Sequence, residues 1–335
     1  MREIGSEFWE QYPAQEIHEI DSVKYLASGR TALDFIIKDA LCEKTINTAF
    51  LPAYCCDSMI EPFVRNNIEV CFYKVNSDGI SYDYYNNCDL VLIIDYFGFE
   101  IGENERIARL ANRSGKIVIY DSTHKLNGNA MVEQWAHYSF SSYRKWFYCN
   151  FAVARKHCGA FVYTTDNVPY THYFSLRNSA KTAKLHYMHG EAIDKSVFLS
   201  QFGEAEELLE MDYEGYSGEA VSFSMNEIIE KRRENARYLI ERLLYCKCIS
   251  VLTKKMLEND APLFVPILIE PFQRPALRQH LISKDIYCPI HWPKTELQKE
   301  PSDLYGRELS LICDQRYDLS DMERIVKEIK SFFSM

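Results

Sequence analysis

The stretch that decides the fold runs from Lys116 to Trp146 and contains two strand-like segments. The first reads Lys116-Ile117-Val118-Ile119-Tyr120-Asp121 and is followed by Ser122-Thr123-His124. The second reads Ala136-His137-Tyr138-Ser139-Phe140-Ser141-Ser142-Tyr143-Arg144-Lys145-Trp146. Short apolar runs rich in β-branched and aromatic residues predict buried strands. Asp121 is therefore expected at the end of one strand and Lys145 just past the next, 24 residues later.

Strand-like and helical segments alternate along the chain from about residue 25 to residue 165. The predicted strands are 48–51, 69–73, 90–95, 117–121, 136–140 and 160–163, and the predicted helices between them are 32–41, 57–65 and 104–113. This alternation predicts βαβ units, and hence an α/β domain whose central sheet is mostly parallel and flanked by helices. In such folds functional groups collect at the carboxyl ends of the strands, where Asp121 and Lys145 are expected.

A long amphipathic helix predicted over residues 226–244 divides the chain into two predicted domains. Residues 1–225 form the large α/β domain in this interpretation. Residues 226–335 supply the linking helix and a small C-terminal α+β domain, with a strand at 262–269 and helices at 275–283 and 320–332.

Asp121 and Lys145 are the residue types that pyridoxal phosphate chemistry requires. A lysine amine holds this cofactor as a Schiff base, and a carboxylate beside the pyridine nitrogen keeps the ring protonated. Each residue also has an ordinary interpretation, because Asp121 would cap the turn after its strand and Lys145 would be a surface lysine. The pair alone does not decide between them.

A third element lies near the N-terminus and reads Leu26-Ala27-Ser28-Gly29-Arg30-Thr31-Ala32-Leu33. It opens a segment with helical spacing of apolar residues. The start of a helix offers backbone N–H groups and the positive end of the helix dipole, so it is a ready anion site. Ser28, Arg30 and Thr31 would add side-chain donors for a phosphate. The alternative is an ordinary helix cap without a ligand.

These segments together resemble the DegT/DnrJ/EryC1/StrS family of aminotransferases. Residues 28–33 are similar to its phosphate-binding element, residues 121–124 to its Asp-x-Ala-(Gln/His) motif, and residues 142–145 to the Ser-x-Arg-Lys form of its lysine motif. Weaker similarities are found at residues 51–58, 95–98 and 311–317. The motifs stand in the family's order and cover nearly the whole chain.

The resemblance implies a fold-type-I, pyridoxal-phosphate-dependent transferase that forms a homodimer. It implies transfer of an amino group from an amino-acid donor, glutamate being expected, to a keto acceptor, which in this family is a nucleotide-linked keto-sugar. Two alternatives stay open. One is a transaminase or dehydratase that acts on a non-sugar metabolite, and the other is a non-catalytic relative with a binding role.

The resemblance also assigns roles. Lys145 would hold the cofactor and move a proton, Asp121 would pair with the pyridine nitrogen, and His124 would lie against the ring or its 3-oxygen, unless it is a structural histidine. The cofactor-binding residues that it implies are Ser28, Gly29, Arg30, Thr31, Tyr54, Asp121, His124, Ser141, Ser142 and Lys145. Ser139 competes with Ser141 and Ser142 for the phosphate, and Cys56 competes with Tyr54 for the stacking position.

Three further residues are candidates for substrate contacts: Arg144, His291 and Arg316. Arg316 would clamp a carboxylate through its guanidinium or would instead form a structural ion pair. The segment after Lys145 lacks the family's Gly-Glu-Gly-Gly run, and its Asn-x-Arg element is not evident near residues 210–230. The sequence departs from the family where the substrate would bind.

The composition of the chain limits the other classes of function that it could have. The 335 residues are 47% hydrophobic and 26% charged, as in an ordinary globular chain, and the net charge of −10 argues against nucleic-acid binding. No apolar run is long enough to span a membrane, and the charged start lacks the apolar core of a signal peptide. The eleven cysteines include no C-x-x-C pair, so we expect no metal site and a reducing, cytoplasmic location.

Overall fold

The structure is a computed structural model that describes residues 2–16, 20–82, 87–165, 171–211 and 221–334. Its strands are β1 (Ile4–Gly5), β2 (Ala14–Glu16), β3 (Val23–Leu26), β4 (Thr48–Pro52), β5 (Glu69–Asn76), β6 (Gly79–Ser81), β7 (Leu90–Ile94), β8 (Ile117–Asp121), β9 (Tyr138–Ser142), β10 (Ala152–Lys156), β11 (Val221–Phe223), β12 (Ser250–Val251), β13 (Phe264–Leu268), β14 (Ile286–Tyr287) and β15 (Glu308–Ile312).

The helices alternate with these strands through the first half of the chain and frame the second half. They are α1 (Gly29–Glu43), α2 (Asp57–Arg65), α3 (Gly102–Arg113), α4 (Ala130–Glu133), α5 (Thr171–Met188), α6 (Lys195–Met211), α7 (Asn226–Leu243), α8 (Arg274–Ile282), α9 (Leu304–Arg307) and α10 (Leu319–Phe332). Single turns of 3₁₀ helix follow β7 at Tyr96–Gly98 and β9 at Tyr143–Lys145.

The described chain divides into two compact units. The first contains residues 1–6, 46–136 and 225–335, and the second contains residues 7–45 and 137–224. The boundary between residues 224 and 225 lies one residue from the domain boundary expected after residue 225. The division into domains 1–225 and 226–335 itself stays a prediction.

The first unit contains a parallel sheet in the order β8-β7-β4-β5, which β6 extends in the antiparallel direction. Every residue of β7 and of β8 is buried, as expected for parallel strands that are covered on both faces. Asp121 ends β8 and is aligned with Ile94 at the end of β7. A separate antiparallel sheet of β12, β13 and β15 belongs to the same unit, together with α7, α8 and α10.

In the second unit β10 pairs with β3 on one side and with β9 on the other, both antiparallel. The register sets Ala152 opposite Leu26 and Ser142. Helix α1 packs on β9 and β10, and helices α5 and α6 pack on each other. The segment before α1 and the end of β9 are therefore brought to the same part of this unit.

One strand prediction was wrong, and another was displaced by two residues. Residues 160–163 are not a strand, because Asp39 accepts the backbone N–H groups of Val162 and Tyr163 at 2.6 and 2.8 Å, and these groups are satisfied without a strand partner. The strand is instead Ala152–Lys156, and the strand predicted at 136–140 is Tyr138–Ser142. The α/β fold class is nevertheless confirmed.

No helix in the described ranges is both long enough and apolar enough to cross a bilayer. The same ranges contain no group of three or more His, Cys, Asp or Glu side chains arranged to hold a metal ion.

Candidate active site

The predicted phosphate site lies at the start of α1, in the second unit. Ser28 is the N-cap residue, and its Oγ accepts the backbone N–H of Thr31 at 3.1 Å and lies 2.9 Å from Thr31 Oγ1. Arg30 is half-buried, with a guanidinium nitrogen 4.0 Å from Glu210. The first-turn N–H groups of a 15-residue helix have no acceptor within the helix, which makes this end suitable for an anion.

Ser142 lies against this helix start. A Cβ atom placed on Gly29 would be 3.4 Å from Ser142 Cβ and 3.9 Å from Ser142 Oγ, which is ordinary van der Waals distance, so Ser142 lies directly beside the first turn of α1. Ser139 lies near the other end of β9, where its Oγ contacts His157 Nε2 at 2.9 Å. Ser141 is buried on the same strand. Among the three competing serines, Ser142 is the one shown beside the helix start.

Lys145 ends the 3₁₀ turn that follows β9. Its side chain is exposed, whereas Tyr143 and Trp146 on either side of the turn are buried. The turn is closed by the backbone N–H of Trp146, which donates to the carbonyl of Tyr143 at 2.9 Å. Lys145 and the helix start beside Ser142 thus belong to one local arrangement within the second unit.

Asp121 is the last residue of β8, in the first unit, and is buried. Its Oδ1 accepts the backbone N–H of Thr123 at 2.8 Å. Burial raises the pKa of this carboxyl to about 6, although the hydrogen bonds from Thr123 lower it. A buried carboxylate of this kind is stabilised by a neighbouring cation, and a protonated pyridine nitrogen would supply one.

His124 is buried close to Asp121 in sequence, and its ring is fixed on two sides. The backbone N–H of Phe97 donates to His124 Nδ1 at 3.2 Å, so the neutral ring carries its proton on Nε2. The ring of Trp292 stacks on it, with centroids 5.5 Å apart and an interplanar angle of 22°. Gly98, with φ +90°, allows a close backbone contact next to His124, because a Cβ atom there would clash with the carbonyl oxygens of Ala261 and His124.

Tyr54 is fully buried in an aromatic cluster of the first unit. Its ring centroid lies 5.2 Å from that of Trp292 and 5.0 Å from that of Tyr305, and its hydroxyl donates to Glu308 at 3.2 Å. Cys56, its competitor for the stacking position, is half-buried at the start of α2. Trp292 therefore contacts both Tyr54 and His124.

The structure brings His291 to His124, with ring centroids 5.4 Å apart. The backbone N–H of His291 donates to Glu308 at 2.8 Å, and its Nδ1 lies 3.0 Å from Ser310 Oγ. Ser310 in turn donates to Glu308 at 2.5 Å. Since Ser310 uses its proton on the carboxylate, it accepts from His291 Nδ1–H. Burial raises the pKa of Glu308 to about 7.

The two arginines proposed for the substrate are both engaged in ion pairs. Arg316 is buried and binds Asp314 through Nε at 2.9 Å and through Nη2 at 2.7 Å, and Nη2 also donates to the carbonyl of Ser6. This is the structural ion pair that was the alternative for Arg316. Arg144 pairs with Glu206 on α6. A substrate role for either residue stays a prediction.

Sequence reasoning missed Trp292, Glu308, Ser310 and Glu206. Trp292 directly follows His291, which was predicted, and this adjacency is the sequence signal that could have identified Trp292. The carboxylates and Ser310 lie far along the chain from their partners, and no local pattern marks them.

The residues present fit pyridoxal phosphate. The start of α1 with Ser142 beside it suits the phosphate, and Lys145, which is exposed three residues after Ser142, suits the aldehyde. A buried Asp121 with a raised pKa suits the pyridine nitrogen.

No model of a known protein family matches the chain, and no curated protein matches it in sequence. Solved structures match over nearly its whole length. PseC of Helicobacter pylori, an aminotransferase involved in the biosynthesis of pseudoaminic acid, is 16% identical with a TM-score of 0.66, and the match covers 93% of this chain and 87% of PseC. A DegT DnrJ EryC1 StrS aminotransferase from Brucella abortus is 16% identical with a TM-score of 0.59, over 92% and 85% of the two chains.

The chain has the fold of these aminotransferases. A further match is DesI, whose structure was solved in the presence of its TDP-sugar product, with 11% identity, a TM-score of 0.60 and coverage of 92% of this chain and 80% of DesI. The resemblance inferred from the motifs is thus confirmed for the aminotransferase fold. At these identities the likeness concerns the fold, and the reaction has to be argued from the site.

Proposed function

We propose that this protein is a pyridoxal-phosphate-dependent aminotransferase. The observation that carries the proposal is the close approach of Ser142 to Gly29 at the start of α1, with Lys145 exposed on the turn that follows. Two segments far apart in sequence, the start of α1 and the end of β9 with its turn, thereby combine an anion site with an exposed lysine. The aminotransferase fold supports the same interpretation.

The phosphate would be bound by the first turn of α1 with Ser28, Gly29, Arg30 and Thr31, and by Ser142 or Ser141. When bound, pyridoxal phosphate withdraws electrons from the substrate carbon that bears the nitrogen, which makes the proton on that carbon acidic. Lys145 would hold the cofactor and then carry this proton on its Nζ. Tyr54, the predicted stacking residue, would contact the cofactor ring while remaining part of its aromatic cluster.

Asp121 would hold the proton on the pyridine nitrogen. With a pKa of about 6 its carboxyl is mostly ionised at pH 7.5, and a cation beside it would lower that pKa further. His124 would contact the ring or its 3-oxygen. Its orientation is fixed by Phe97 and Trp292, so it would place Nε2–H in a defined direction without rearrangement.

The donor and acceptor follow from the resemblance. We propose glutamate as the amino donor and a nucleotide-linked keto-sugar as the acceptor, as the TDP-sugar product of DesI suggests for that relative. We also propose a cytoplasmic homodimer, and no membrane or nucleic-acid partner.

The absorption spectrum of the purified protein tests this function. Addition of pyridoxal phosphate should give the visible absorbance band of a cofactor bound to a lysine as an imine, and glutamate should bleach it. Nucleotide-linked keto-sugars should then restore it, whereas simple 2-oxo acids other than 2-oxoglutarate should not. Restoration by 2-oxo acids alone would favour a metabolite transaminase, and no spectral change with any donor would favour a binding protein.

A further inference from the structure

A pocket of about 340 Å³ opens in the second unit, beside the segment that follows Lys145. Its buried residues are Cys149, Asn150 and Lys181, and the half-buried rings of Tyr148 and Phe223 form its walls. None of these residues belongs to the proposed cofactor site. The volume is within the range of sites for small organic molecules.

Lys181 is the charged group in this pocket, and its side chain is 1% exposed. Its amine donates to the carbonyl of Cys149 at 2.7 Å and lies 4.5 Å from the ring centroid of Tyr148. Within the described part of the chain, no Asp or Glu lies at ion-pair distance from it. An ammonium group has three N–H donors, and the carbonyl uses one of them.

Lys181 belongs to a row of buried basic side chains. Arg177, Lys181 and Lys184 follow each other along one face of α5 and are all fully buried. The carboxylates of Glu7 and Glu206 both pair with Arg177, at 3.0 and 3.2 Å. Lys184 donates to the backbone carbonyl of Glu7. Lys181 itself has no carboxylate at ion-pair distance within the described ranges, and a buried charge is unfavourable unless it is balanced, so the pocket favours an anion.

We propose that the pocket binds a small organic anion whose carboxylate or phosphate pairs with Lys181 and whose planar or apolar body lies against Tyr148 and Phe223. Asn150 and Asn178 supply amide groups for additional polar contacts. They are already joined, because Asn150 Nδ2 donates to Asn178 Oδ1 at 2.7 Å, so their positions are fixed before a ligand arrives.

The pocket is close to Lys145 along the chain. Three peptide units separate Lys145 from Tyr148, so their Cα atoms are at most about 11 Å apart. If the protein has the function proposed above, an anion held by Lys181 would be part of its substrate. Binding itself does not depend on that function.

Isothermal titration of the full chain with L-glutamate, inorganic pyrophosphate and uridine diphosphate tests the proposal. At least one of these anions should bind saturably, and which of them binds distinguishes a carboxylate from a phosphate ligand. Lys181→Met should weaken that binding at least tenfold. Lys195→Met, which removes a charge from α6 outside the pocket, should leave it unchanged.

Asn178→Asp is the second variant, because it is exposed and keeps the acceptor for Asn150, so the fold should be retained. Its negative charge at the mouth of the pocket should weaken anion binding severalfold. Absence of saturable binding by all three anions, or equal affinity in the wild type and in either pocket variant, would overturn the proposal. Borohydride trapping of pyridoxal phosphate on Lys145 should be unaffected in both variants, which separates this proposal from the proposed function.

Discussion

Arg144, the residue directly before Lys145, forms an ion pair with Glu206 on helix α6. Glu206 is shared with Arg177, which also binds Glu7. Burial alone would raise the pKa of Glu206, but the charge of Arg144 and its hydrogen bonds outweigh burial and lower it. The turn that carries Lys145 is therefore attached to α6 through charged groups.

Glu206→Gln should destabilise the protein, because it leaves Arg144 and Arg177 without the charge that they share. We expect a loss of about 1–2 kcal/mol in urea unfolding, less than for a fully buried pair since the Glu206 side chain is 37% exposed. Glu207→Gln, on the neighbouring exposed position, is the control and should change little. Equal stability of the two variants would show that the ion pair does not hold the turn.

Borohydride reduction with pyridoxal phosphate should label Lys145. Lys125 and Lys156 are the lysines that a shifted alignment would select, but both are buried in ion pairs, with Glu100 at 2.9 Å and with Asp39 at 2.9 Å. Their amines are enclosed in these ion pairs, whereas Lys145 is exposed. Peptide mapping by mass spectrometry should find the adduct on the Lys145 peptide, and an adduct on Lys125 or Lys156 would disprove the assignment.

Asp121→Asn should have opposite effects on activity and on stability. The folded-state pKa of about 6 lies above the unfolded value, so the contribution of this group to stability is full at low pH and is lost as the pH rises through 6. At pH 7.5 the cofactor-free variant should be more stable than the wild type by roughly 1–3 kcal/mol, and below pH 4 the two should be equal.

The same variant should lose most of its amino-transfer rate, because it removes the charge beside the pyridine nitrogen. Thermal unfolding at both pH values and the half-reaction with glutamate are the measurements. Asp78→Asn, at an exposed turn of the first unit, is the control. Wild-type turnover at unchanged cofactor content would remove Asp121 from the proposed site.

The fold was predictable where the sequence pattern is local. Strand β8 was predicted with its observed bounds, and helix α2 likewise, because each is a compact apolar or amphipathic run with clear ends. Strand β10 was missed, since Ala152–Lys156 ends in two charged residues and contains two alanines. The bonds from Asp39 to residues 162 and 163 join positions more than 120 apart in sequence, so no local signal excludes a strand there.

The residues of the candidate site were likewise predictable only where a local sequence pattern marks them. Asp121, His124 and Lys145 follow strands, and their types suit the chemistry, so they could be selected from the sequence. Whether the Arg316 guanidinium binds a ligand or Asp314 depends on side-chain geometry. Asp314 lies two residues before Arg316, and this spacing in the sequence is compatible with either role. The stacking of Trp292 on His124 joins positions 168 apart in sequence and needed the structure.

Anion binding in the Lys181 pocket should weaken as the pH rises through 8. Burial, with a smaller effect of the charge of Arg177, lowers the pKa of Lys181 to about 8, while Cys149 and Glu7 oppose this shift. Arg144 also faces the group and stays charged throughout. Titrations at pH 6.5 and pH 9 should differ about tenfold in affinity, and a pH-independent affinity would exclude Lys181 as the charged contact.

The protein should be a homodimer, and helix α6 is the first place to test. A homodimer with two-fold symmetry needs a self-complementary surface patch. Val197 and Leu199 on α6 are 45% and 51% exposed, as apolar residues in an interface would be in the isolated chain. Light scattering at micromolar concentration should give twice the 39.2 kDa of the chain. Leu199→Asp should shift this value toward the monomer, whereas Ser200→Asp beside it should have a smaller effect. A wild-type monomer that is fully active would contradict the dimer, and a dimer unaffected by Leu199→Asp would place the interface elsewhere.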